Sequence, residues 1–157
     1  MFRMIFIILI TTVINLNASN YSVKFKGITL GEISSLDTLK SNYLQARVTN
    51  PIAKFLIRKK YFIFHSGDEP KIEDAKFRRD KNMILFAFFQ SLSEKPKYKK
   101  YQINEIKDLT LECESSQCLF LYRKKGKIGG KGTITFDEKG EFVKLVEEIA
   151  SVEISRK

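Results

Sequence analysis

Leu109-Thr110-Leu111-Glu112-Cys113-Glu114-Ser115-Ser116-Gln117-Cys118-Leu119-Phe120-Leu121-Tyr122-Arg123 reads as a β-hairpin. Apolar and polar residues alternate up to Cys113, the polar stretch 114–117 interrupts, and a second strand follows from Cys118. A four-residue loop sets Cys113 opposite Cys118, Leu111 opposite Phe120 and Leu109 opposite Tyr122, all on one face. A cross-strand disulfide Cys113–Cys118 is then within reach. The C-x4-C spacing is not that of a redox-active C-x-x-C pair. Two reduced, buried cysteines in a cytosolic protein are the competing reading.

Strand patterns continue on both sides of this hairpin. Downstream, Asp137-Glu138-Lys139-Gly140 is a turn with Gly140 suited to positive φ, pairing Thr133–Phe136 with Phe142–Val146. Val152–Ser155 adds a final strand. Upstream, Gln102–Ile106 is extended, and at the other end of the chain Tyr21-Ser22-Val23-Lys24-Phe25-Lys26 alternates cleanly. After Gly27, Ile28–Ile33 resumes the pattern, and Tyr43–Thr49 places Leu44, Ala46 and Val48 on one side. Asn50-Pro51 opens a helix, with Asn50 as cap and Pro51 at the first helical position. Ile52, Phe55 and Leu56 follow at helical spacing, so this short amphipathic helix ends around Arg58. Tyr61-Phe62-Ile63-Phe64-His65 is apolar on both faces, as a covered strand would be, and Ser66–Pro70 is a turn. Lys71–Lys81 is highly charged. Asn82–Leu92 is apolar all round; its length favours a buried helix over a strand. The fold expected is mainly β (α+β): one strongly curved antiparallel sheet, an incomplete barrel, with one or two helices on one face.

The first eighteen residues are laid out as a secretory signal peptide. Met1-Phe2-Arg3-Met4 is a short basic start, Ile5–Ile14 is largely apolar, and Asn15-Leu16-Asn17-Ala18-Ser19 is a polar exit. Cleavage falls after Ala18 or after Ser19. The apolar run of about ten residues is short of the roughly 20 that span a bilayer, so an uncleaved anchor is the weaker reading and no stable membrane span is expected after cleavage. Residues 19–157 are then read as a single β-rich domain. A chain rich in Lys, Ile, Phe and Asn points to a bacterial source and to the periplasm as destination, where a disulfide can persist.

The 157 residues carry 28 Lys+Arg against 18 Asp+Glu, a net charge of +10. The surplus is uneven: 5 − 2 = +3 over 1–53, 14 − 7 = +7 over 54–107, and 9 − 9 = 0 over 108–157. Arg58, Lys59, Lys60, Lys97, Lys99 and Lys100 form the candidate surface for an anionic partner, against the plainer reading of a solvated basic face. One His and two Cys cannot fill a four-ligand zinc site, so neither metal nor cofactor is expected.

Catalytic motifs fail on inspection. Gly126-Lys127-Ile128-Gly129-Gly130-Lys131-Gly132-Thr133 is one spacer short of a phosphate loop and precedes a strand; it reads as a flexible hairpin connection. His65, the single imidazole, has Ser66 and Asp68 nearby, but neighbours on a strand point to opposite faces and no nucleophile elbow is present. The pairs Glu147–Glu148 and Asp137–Glu138 are not placed in a cleft. Lys97–Tyr101 and Tyr122–Lys127 interleave basic and aromatic residues as single-strand nucleic-acid binders do, but behind an export signal nucleic acid is set aside as a partner. No enzyme is expected.

With 13 Phe in the chain, the segment holding Phe86, Phe88 and Phe89 is the candidate wall of an apolar ligand cavity, core packing being the alternative. Tyr21-x-Val23-x-Phe25-x-Gly27-Ile28-x-x-Gly31-Glu32, followed by a strand, a short helix and an aromatic strand, resembles small periplasmic proteins of Gram-negative bacteria. Their architecture is similar to the lipoprotein-carrier fold, a curved sheet with helices as a lid over a hollow that takes acyl chains. The resemblance implies a periplasmic, non-enzymatic binding or carrier protein for an apolar or lipid ligand. The second expectation is an envelope interaction or assembly factor that meets a protein partner, or an anionic envelope component, through its basic surface.

Overall fold

A computed structural model of the chain describes residues 21–36, 43–58, 60–65 and 83–157. The expected signal peptide, the turn 66–70, the charged stretch 71–81 and Lys59 lie outside the described residues, as does the side chain of His65.

The elements run β1 (Tyr21–Phe25), β2 (Ile28–Ile33), β3 (Tyr43–Val48), α1 (Pro51–Ile57), β4 (Tyr61–His65), α2 (Met83–Ser93), β5 (Lys99–Asn104) and β6 (Lys107–Glu114). They end with β7 (Gln117–Lys124), β8 (Lys127–Phe136), β9 (Phe142–Glu147) and β10 (Val152–Arg156). All ten strands join one antiparallel sheet in the order β4-β3-β2-β1-β10-β9-β8-β7-β6-β5. The sheet is therefore two meanders, β1–β4 and β5–β10, joined where β1 pairs with β10. It is not closed: β4 and β5 are its two edges.

Laid flat, ten strands about 4.8 Å apart would be about 43 Å wide, some four helix diameters. Yet Ile33 of β2 and Ile103 of β5, from opposite halves of the order, share one buried cluster with Phe88 of α2. The sheet curls about α2. Register shifts in the β1–β2, β5–β6, β7–β8 and β8–β9 pairings are the irregularities that bend strands and increase their twist. The mainly β, incomplete-barrel architecture is the one the alternating pattern implies.

Local chemistry explains the element ends. Asn50 Oδ1 accepts the Ala53 N–H at 3.0 Å, and Pro51 takes the first helical position without wasting a donor. Arg58 stops α1 in the left-handed region at φ 55°, donating its N–H to the Lys54 carbonyl at 2.9 Å. Asn82–Leu92 resolves as helix from Met83. Its serines bond back to the helix: buried Ser91 Oγ donates to the Phe88 carbonyl at 2.7 Å, and exposed Ser93 Oγ to that of Phe89 at 3.0 Å.

Three details differ from the sequence reading. The β6–β7 hairpin has the expected register, but Glu114 also pairs with Gln117, so the loop is Ser115-Ser116 alone. Ser115 carries the positive φ that this tighter turn needs. The strand expected at Gln102–Ile106 is displaced to Lys99–Asn104, because Glu105-Ile106 forms the turn into β6. The glycines Gly129, Gly130 and Gly132 are not a flexible connection; Lys125-Gly126 is the turn, and the three lie inside β8. Tyr122 pairs with Gly130 and Phe120 with Gly132, and each ring lies over its glycine where a Cβ would collide. A Cβ on Gly132 would come within 2.0 Å of the Val146 carbonyl oxygen.

Candidate functional site

The candidate cavity wall faces inward and is packed. Phe86, Phe88 and Phe89 are all buried, Phe88 completely. Phe88 meets Phe142 of β9 edge-on at 4.6 Å between ring centres, and Phe86 meets Tyr101 of β5 at 5.5 Å. α2 packs on β6, β7, β8 and β9. The three rings point different ways because core lies around the helix on more than one side.

The cysteines form the staple. Cys113 and Cys118 are directly paired across β6–β7, Cα atoms 3.9 Å apart, in a disulfide. Leu111 lies opposite Phe120 and Leu109 opposite Tyr122, as read.

The basic candidate surface is split in two by the course of the chain. In an antiparallel sheet successive connections alternate between ends. The β1–β2 turn, α1, and the β5–β6, β7–β8 and β9–β10 turns therefore lie at one end, here the α1 end. The disulfide hairpin, the β8–β9 turn and the entry to β5 lie at the other. Arg58 and Lys60 belong to the α1 end, Lys97, Lys99 and Lys100 to the disulfide end. There Lys99 Nζ is bound to Glu94 Oε2 at 2.6 Å, and Lys100 lies 3.9 Å from Asp108. Residues close in charge and composition are thus far apart in the fold.

The acidic pairs are structural. Glu147, the last residue of β9, is fully buried, while Glu148 in the turn that follows is exposed and ion-paired to Lys131 at 3.0 Å. Glu147 Oε2 accepts the Ala150 N–H and closes the β9–β10 turn; its Oε1 has no partner among the described residues. Beside it, burial first and then the Glu147 charge push the Tyr122 phenol up. Asp137 organises the β8–β9 turn, accepting N–H bonds from Lys139 at 3.0 Å and Glu141 at 2.9 Å and a guanidinium bond from Arg156 at 2.9 Å. The Arg156 bond, then that of the Glu141 N–H, holds its carboxyl below the ordinary range. Among the described residues no cluster of three or more His, Cys, Asp or Glu could hold a metal ion.

What the sequence reading missed is which way α1 faces. Ile52, Phe55 and Leu56, at i, i+3 and i+4, share one side of the helix. That side is turned outward: they are 69%, 80% and 72% exposed, while Ala53 is the residue that seats the helix. The connection is fixed to the sheet at both ends, by Thr49 N–H to the Leu30 carbonyl at 3.0 Å and Val48 N–H to the Lys60 carbonyl at 2.8 Å. The signal for this was present in the adjacency of Phe55-Leu56 to Arg58-Lys59-Lys60, a solvent-facing apolar pair against a basic cluster. Comparison with known families, with curated proteins and with solved structures finds no match.

Proposed function

We propose that this chain is an exported, periplasmic binding protein with no chemistry of its own, acting through its surface at the α1 end. One observation carries the reading: the aromatic rings of α2 are turned inward and packed, whereas the apolar face of α1 is held outward. A fixed, exposed apolar face flanked by lysine and arginine is costly to leave in water and becomes favourable only against a partner. The leader-like start of the sequence and the Cys113–Cys118 disulfide support the compartment. The test is site-specific photocrosslinking in the producing cell, with the crosslinking residue at Phe55 or at Leu92 of α2. Adducts from position 55 support the surface reading; adducts confined to position 92 overturn it.

The carrier reading stands second. In its favour are a curled, open sheet and a helix whose buried side is apolar apart from Ser91, together with the resemblance to lipoprotein carriers. A ligand under α2 must separate Phe88 from Phe142. Solvent extraction of protein taken from its own compartment, yielding acyl lipid in equimolar amount, would bring this reading to the front.

A further inference from the structure

Building on the surface reading, we infer that the partner is the surface of an anionic lipid bilayer, with α1 lying in the headgroup layer and the neighbouring hairpin tips touching down beside it. The first ground is the distribution of exposed apolar side chains. Each connection at the α1 end displays one or more: Ile28 after the β1–β2 turn, Phe55 on α1, Ile106 before β6, Ile128 after the β7–β8 turn, and Ile149 before β10. These are tips contributed by every hairpin of one rim, and no single element explains their shared exposure. The connections nearest α1 are tied to it or to each other. Asn50 Nδ2 donates to the Thr29 carbonyl at 3.2 Å, and the Lys26 N–H donates to the Ser151 carbonyl at 2.8 Å.

The second ground is charge. Lys54 and Arg58 lie on α1 and at its end, Lys60 follows it, Lys26 is on the β1–β2 turn at the same end, and Lys124, Lys125 and Lys127 flank the β7–β8 turn. None of these forms an ion pair with a described residue. At the disulfide end Arg156 is spent on Asp137 and Glu141, Lys99 on Glu94 and Lys157 on Glu32, while Lys97 and Lys139 form no ion pair with a described residue. At the α1 end Arg123 is paired with Asp108 and Lys131 with Glu148, and the seven cations just named remain beside the apolar tips to meet anions.

The third ground is what such a surface fits. Apolar tips inside a basic fringe match the boundary between acyl chains and anionic headgroups. A nucleic acid would reward the lysines and leave isoleucines unpaired. A folded protein would have to match the shape of several separate tips, whereas a fluid bilayer accepts them at whatever height they stand. No described helix is long and apolar enough to cross a membrane.

The experiment is sedimentation of the purified mature chain with vesicles of phosphatidylcholine alone or with about one third phosphatidylglycerol. Binding to the anionic vesicles, weakened at high salt, is expected. Removing a side chain that inserts costs about tenfold in partitioning, so Phe55→Ser with Leu56→Ser lowers binding about 100-fold. Lys54→Glu with Arg58→Glu lowers it more than tenfold on anionic vesicles and little on neutral ones. Both pairs are exposed, so thermal melting must be unchanged for the comparison to count. Wild-type protein that stays in the supernatant, or variants that bind as it does, overturns the inference. If vesicles are not bound but a protein adduct still forms from position 55, the lipid assignment falls and the surface reading survives. If position 55 gives no adduct and position 92 does, both fall.

Discussion

Phe88 and Phe55 are the same residue type in opposite situations, and replacing each by Ala separates core from contact surface. Phe88 is 0% exposed and sits edge-on to Phe142 at 4.6 Å, whereas Phe55 is 80% exposed. A phenylalanine buries some 150–250 Å². At about 25 cal/mol per Å² that is about 4–6 kcal/mol, of which the retained Cβ keeps a part. Phe→Ala in a core accordingly costs about 3–5 kcal/mol, including the void left behind. With a urea m-value of about 2 kcal/mol/M for a chain of this size, Phe88→Ala should lower the unfolding midpoint by about 2 M. Phe55→Ala should move it by no more than about 0.25 M, the range of an ordinary surface change. The assay is equilibrium urea unfolding followed by circular dichroism and tyrosine fluorescence, with m compared between variants. A Phe88→Ala shift below about 0.5 M would mean that the ring lines a space that tolerates its loss, and the packed-interior argument would fail. So would a Phe55→Ala shift as large as that of Phe88→Ala.

Opening the Cys113–Cys118 bond removes a constraint on a short loop and should cost about 2 kcal/mol, read as a lower melting temperature in reductant that Cys113→Ser with Cys118→Ser reproduces. Gly132→Val should destabilise by more than about 2 kcal/mol, because its Cβ meets the Val146 carbonyl and the Phe120 ring, whereas the same change at the open Gly126 meets only its backbone preference. Burial and Glu94 raise the Tyr101 phenol, as burial and Glu147 raise that of Tyr122. Both groups favour the neutral fold, so their contribution is complete below about pH 10 and is lost as pH rises through the folded values. Absorbance titration should show Tyr101 and Tyr122 ionising late in the native protein; Tyr122→Phe should remove its step, and Glu147→Gln should bring the Tyr122 step partway back.

The parts of the fold that were legible in the sequence are those set by neighbours along the chain. Alternation around Cys113 and Cys118 gives the register of β6 on β7, and Asn50-Pro51 gives the start of α1. Asp137–Gly140 gives the turn into β9, with φ +76° at Gly140. What stayed illegible depends on the path of the sheet. Helical spacing of Ile52, Phe55 and Leu56 declares a helix but not the side from which it is covered. Arg58–Lys60 and Lys97–Lys100 are both basic runs, yet the antiparallel course sends them to opposite ends. The glycines of β8 read as flexibility in isolation, because the rings that need their space, Phe120 and Tyr122, belong to the neighbouring strand.

The seam between β1 and β10 governs how the molecule is assembled. Every other strand pairing joins elements of the same meander, but Ser22 and Ser155, hydrogen-bonded across the seam at 3.1 Å, stand 133 positions apart. The two meanders can zip locally and early, whereas the seam waits for the chain to close on itself and belongs to the slow part of folding. Until then each half-sheet presents an open row of main-chain donors and acceptors, and each row is complementary to the other wherever the two happen to meet. Two chains that form side by side can complete each other's seam as readily as their own. An exchanged dimer, β1 of one copy against β10 of the next, is the misassembly this strand order invites at high concentration.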